Sequence, residues 1–167
     1  DRLINFFGDD EKVFTQSLER ALKRTGIALS SEDISASQNI TAASTSLKVS
    51  ILYRRGQSDD ESVLKLLEDR LKKEGVNVFI DRHMSIGVEW AQEISDQIRS
   101  SDAVVVLISE TATTSEMIEY EIQIANEAAQ ERSGKPKILP VRIKYEGPLP
   151  QTLANILDKI QYTLWSG

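Results

Sequence analysis

One glutamate stands where a core residue belongs. Residues 115–129, SEMIEYEIQIANEAA, carry apolar side chains at helical spacing. At about 100° per residue, Met117, Ile118, Tyr120, Ile122, Ile124, Ala125, Ala128 and Ala129 share one arc, and Glu119, Gln123, Asn126 and Gln130 occupy the other side. Glu121 falls in the middle of the apolar arc. An ionised carboxylate turned toward a core costs several kcal/mol unless it is paired or lines a cavity. Two readings are open: a structural glutamate satisfied by Arg54 or a backbone amide, or a carboxylate that faces a ligand crevice and stabilises positive charge there.

The other candidates are cations that follow short apolar runs. KVSILY (48–53) is followed by Arg54 and Arg55, VNVFI (76–80) by Asp81, Arg82 and His83, AVVVLI (103–108) by Ser109 and Glu110, and ILPVRI (138–143), which carries Arg142, by Lys144. Arginines gathered at strand ends can hold an anion through paired, charge-assisted hydrogen bonds. They can equally form local salt bridges to Asp59, Asp60 and Asp81.

These runs define the elements that must position the candidates. Each is Val- and Ile-rich and short, as buried parallel strands are, and IQYTLW (160–165) is read as a fifth strand at an edge. Helical patterns lie between them at 60–74, closed by Gly75, and at 88–100, 115–130 and 150–157. The βαβα alternation predicts an α/β fold, a flavodoxin-like doubly wound five-stranded parallel sheet with helices on both faces. In such sheets ligands bind beyond the carboxyl ends of the strands, where the cations and the start of the Glu121 helix both fall. Pro140 inside the fourth run predicts a bulge or the end of pairing there.

Ahead of the sheet, residues 10–25 place Val13, Phe14, Leu18, Ala21 and Leu22 at helical spacing, and residues 30–46 form a Ser/Thr-rich linker. Residues 1–46 are therefore expected to be a helical segment plus linker closing an upstream domain, with 47–167 as the main domain. The chain starts at Asp1 and reads as a piece of a longer protein. Its 167 residues carry a net charge of −6, which argues against a nucleic-acid backbone as partner. The absence of cysteine fits a reducing, cytoplasmic setting, and the longest apolar run is too short to span a membrane.

Several chemistries are excluded by residue type. A phosphoacceptor receiver needs carboxylates after its first and third strands for a hard cation, and Arg54, Arg55 and Ser109 stand there instead. A dinucleotide fold needs a glycine-rich first turn, and RRGQSDD has one glycine. His83 is the single histidine, so no histidine-based triad or metal cluster is expected, and neither a metal nor a cofactor is called for.

VSILYRR, GVNVFIDRHMSIGVEW, SDAVVVLIS, SEMIEYE, KPKILPVRI and GPLP, in this order and spacing, resemble a Toll/interleukin receptor (TIR) domain of prokaryotic type, in its NAD-cleaving branch. The resemblance covers about residues 47–167. It implies cleavage of NAD to nicotinamide and ADP-ribose or its cyclic form, with NAD as substrate, and Glu121 as the catalytic residue. It further implies that Tyr53, Arg54, Arg82, Ser85, Trp90 and Met117 line the substrate, with Met117 standing where the family usually has tryptophan. Self-association through the loop Asp81 to Val88, other domains of a longer chain as partners, and a cytoplasmic role in innate immunity and antiviral defence belong to the same expectation. The alternative is a non-enzymatic adaptor module that recruits other TIR domains.

Overall fold

The structure, a computed structural model, describes residues 46–81 and 89–167. Expectations for residues 1–45, including the helix at 10–25, and for Arg82 to Val88 lie outside the described residues.

Strand β1 (Lys48–Leu52) leads into helix α1 (Ser58–Lys73), followed by strand β2 (Asn77–Phe79) and helix α2 (Trp90–Ser100). Strand β3 (Ala103–Ile108), helix α3 (Glu116–Glu131), strand β4 (Lys137–Ile143), helix α4 (Gln151–Leu157) and strand β5 (Thr163–Trp165) complete the domain. A short 3-10 turn, Ala112–Thr114, precedes α3. All five strands are parallel, in the order β2-β1-β3-β4-β5, which is the doubly wound flavodoxin-like arrangement. The order reverses between β1 and β3, so the ligand crevice of such a sheet lies between the residues after Leu52 and those after Ile108.

The sheet has two buried faces because its strands alternate side chains between two apolar layers. Val49, Ile51, Val105 and Leu107 pack with Val63, Leu64, Leu67 and Leu71 of α1. Leu52, Val104, Val106 and Ile108 pack with Ile94 and Ile98 of α2, Ile118, Ile122 and Ala125 of α3, and Leu153 and Leu157 of α4. Every residue of β3 is buried, which explains why its sequence is an unbroken apolar run. Gly75, at φ +75°, ends α1 through paired bonds from its own N–H to Lys72 O and from Val76 N–H to Leu71 O, a turn that favours glycine.

Of the two outcomes expected at Pro140, the bulge does not occur, since it stays in register with Val106, and pairing ends on one side, since β5 pairs only with Val141–Ile143. Pro140 thus sits where β4 has a neighbour on one side only, and a missing donor is tolerated at such an edge. The fifth strand is shorter than 160–165, because Ile160 to Tyr162 form the approach to β5 rather than part of it.

Candidate functional site

Helix α3 begins where the switch-point crevice opens. Ser115 is its N-cap, in extended conformation, and its Oγ accepts from the Ile118 N–H. The same Oγ accepts a bond of 3.2 Å from Nη1 of Arg54, so the helix start is tied to the residue after β1. Replacing Ser115 with Ala is expected to cost about 1 kcal/mol by loss of the cap, read as a lower denaturant midpoint at unchanged slope.

On the buried face of α3, in its second turn, stands Glu121, 3% exposed and flanked by Ile118, Ile122 and Ala125. Burial is the main reason its carboxyl is pushed up from 4.5 to about 8; the negative charge of Asp81 adds to the rise and Arg55 opposes it. Arg55 is committed elsewhere. Its Nη2 donates to Asp81 Oδ2 at 2.8 Å and to the Asp81 carbonyl at 2.9 Å. Asp81 Oδ1 is buried and has no hydrogen-bond partner among the described residues. Asp81 and Arg55, paired at the ends of β2 and β1, are thus close enough for their charges to act on Glu121. Of the two readings of Glu121, satisfaction by Arg54 does not occur, since the described side-chain bond of Arg54 goes to Ser115.

Helix α3 is rolled relative to the expected arc. Ile118, Glu121, Ile122, Ile124, Ala125 and Ala128 are buried, whereas Met117 and Tyr120 are 36% and 45% exposed. A helical wheel ranks residues by apolarity, but the roll is set by the sheet beneath, where β3 presents Val104, Val106 and Ile108 to the branched residues of the helix. The two displaced side chains emerge at a cleft of about 500 Å³ that they line together with Arg54, Ser115 and Glu116.

The sequence-predicted site residues are thus only partly gathered. Arg54 and Met117 share the cleft, and Glu121 lies beside it on the same helix but faces the core. Tyr53 is buried in the layer under α1, on the opposite sheet face from α3. Trp90 is half-buried against the α2/α3 layer, with its indole Nε1 buried and without a hydrogen-bond partner among the described residues. Arg82 and Ser85 lie outside the described residues. Sequence reasoning missed Tyr120 as a cleft residue and Arg55 as the described cation whose charge acts on Glu121. The arginine rim also contains the local pairs expected from its composition, Arg55 with Asp81 and Lys144 with Asp59.

Residues 49–166 match the family model described as TIR domain. The chain belongs to the TIR domain family. Solved structures similar to this TIR domain include the TIR domains of the activated Roq1 resistosome directly recognizing the pathogen effector XopQ, at 20% identity and TM-score 0.53, with 60% of each chain covered. The TIR chain here therefore spans 60% of the length of that protein's chain. A prokaryotic SEFIR domain aligns at 23% identity and TM-score 0.51, covering 67% of this chain and 79% of that one. A 2-deoxyribosyltransferase from the psychrotolerant bacterium Bacillus psychrosaccharolyticus aligns at 10% identity and TM-score 0.52, covering 72% and 86%. At these identities the likeness is one of fold. No curated protein shows significant similarity to the chain. No helix among the described residues is long and apolar enough to cross a membrane, and no described group of three or more His, Asp or Glu side chains gathers as a metal site.

Proposed function

We propose that this TIR domain is an NAD glycohydrolase in which Glu121 is the catalytic residue, acting as the cytoplasmic effector of a bacterial immune protein switched on by self-assembly. One observation carries the reading: a carboxyl group is held in the apolar face of α3, beside the crevice where such sheets bind ligands, at a cost the fold alone does not require.

The chemistry suits a single carboxylate. Ordinary glycoside cleavage needs an acid to protonate the leaving oxygen. The nicotinamide of NAD is already cationic. When the bond from ribose C1′ to the ring nitrogen breaks, its electron pair neutralises the pyridinium, and nicotinamide leaves without a proton. The positive charge moves to C1′ and the ring oxygen, where ionised Glu121 stabilises it in surroundings that exclude water. Capture by water, with loss of one proton, gives ADP-ribose; capture by a nitrogen of the substrate's own adenine gives the cyclic product. Because the raised carboxyl must be ionised to act, cleavage rises toward pH 8, and a cationic substrate beside Glu121 favours the ionised form.

Arg54 lines the cleft beside Met117 and Tyr120 and offers a cation for the pyrophosphate. Arg54→Ala is expected to raise KM for NAD about tenfold with a smaller change in kcat, since that contact exists in ground and transition states alike. An unchanged KM with a lower melting temperature would assign Arg54 to holding Ser115 only.

Control by assembly rests on Glu121 being enclosed in the single chain and on the apolar residues Met84 and Ile86 in the sequence from Asp81 to Val88. A resistosome is among the assemblies in which TIR domains of this fold occur. Nicotinamide release per molecule is expected to climb steeply with protein concentration; a flat profile with full activity in monomeric samples would reject this control. The adaptor reading is favoured by one observation, the exposed Met117 and Tyr120, which suit a protein partner as well as a substrate. Absence of nicotinamide release from concentrated protein would select it.

A further inference from the structure

A second groove, of about 800 Å³, lies at the opposite edge of the sheet, between the end of β4, helix α4 and the approach to β5. At its wall stands Arg142, in register with Ile108 on one side and Leu164 on the other, and only 8% exposed. Its guanidinium lies over the Tyr162 ring at 4.3 Å, and Nη1 donates to the Gly147 carbonyl at 2.7 Å. Among the described residues it has no carboxylate partner. Glu146 and Asp158 line the same groove and neither forms a salt bridge with it.

This is unusual for the chain. Arg99 is far more exposed, at 35% of its side chain, and still holds both Glu127 and Glu131. A buried cation is expected to be paired, because a neutral carbonyl and a ring face return only part of the hydration it loses. The Nε and Nη2 of Arg142 have no hydrogen-bond partner among the described residues, and neither is sealed from solvent. Arg142 lines the groove, so these donors are available to a ligand there. Pro140, Leu149, Leu157 and Ile160 give the groove an apolar wall, and Lys159 lines it as a second cation that offsets the carboxylates of Glu146 and Asp158. A carboxylate fits the planar fork of a guanidinium, and an apolar body attached to it fits that wall.

We infer that this groove binds a small carboxylate with an apolar body, gripped by Arg142 where its guanidinium stacks on the Tyr162 ring. The site is separate from the Glu121 crevice, since β3 lies between them in the sheet, and it does not depend on NAD cleavage.

The test is an NMR titration of the chain with hexanoate and, separately, with hexanamide, which has the same body without the charge. Saturating shifts of the Gly147 and Tyr162 amides with hexanoate, at least tenfold weaker with hexanamide, are expected. Arg142→Gln is expected to abolish the preference for the acid and Arg142→Lys to retain part of it. Equal responses to acid and amide, no saturable response, or saturation confined to residues outside the groove would overturn the assignment. If the glutamine variant fails to fold, the acid and amide comparison on the parent chain decides alone.

Discussion

Glu121→Gln is expected to melt higher than the parent chain at pH 8, by on the order of 10 °C, and to melt like it near pH 4.5. The sign follows from where each state holds its proton. The unfolded chain releases the Glu121 proton near 4.5, whereas the folded chain keeps it until about 8. Between those values the folded state binds more protons, so stability falls as pH rises, and above the upper value the loss is complete. The interval corresponds to roughly 3 to 5 kcal/mol at about 1.4 kcal/mol per pH unit. Glutamine keeps the shape and cannot ionise, so the variant lacks this slope. Thermal melts of both proteins across pH 4.5 to 8.5 check it, and parallel curves would show that Glu121 is not enclosed as described.

Asp81→Asn is expected to move the pH dependence the other way. Asp81 raises the Glu121 carboxyl directly and also occupies Arg55, the cation that lowers it. Removing its charge relieves the first effect and frees Arg55 for the second, so Glu121 ionises at lower pH. NAD cleavage at pH 6.5 is then expected to rise severalfold relative to the parent. The lost ion pair is partly solvent-exposed, 40% on the arginine side, and its own contribution to stability is small, about 0 to 1 kcal/mol. A pH profile that does not move would show that Asp81 serves only to hold Arg55.

What was legible in the sequence depended on how local its cause is. Strand β3 matches its apolar run from Ala103 to Ile108 because full burial on both faces leaves no alternation to misread. Glu121 was legible for a similar reason: a charge in the middle of an apolar arc is visible from spacing alone. The roll that exposes Tyr120 was not, because it is fixed by the side chains β3 presents from below, and neither was the 3-10 turn Ala112–Thr114, whose small and β-branched residues carry no period. The pairing of Arg55 with Asp81 joins residues 26 apart across two strand ends. Both belong to the same rim, but their choice of each other over Asp59 or Asp60 is a tertiary matter. Asp60 is instead fully buried, taking the Ser109 hydroxyl at 3.0 Å.

The most direct test of catalysis by Glu121 is nicotinamide release from NAD at pH 8, followed for concentrated parent protein and for Glu121→Gln side by side. Release by the parent and a loss of at least about 100-fold in the variant are expected, the scale for removing a charge that stabilises a transition state, while the variant remains folded. Equal rates in the two proteins, or no release from the parent at any concentration, would contradict it.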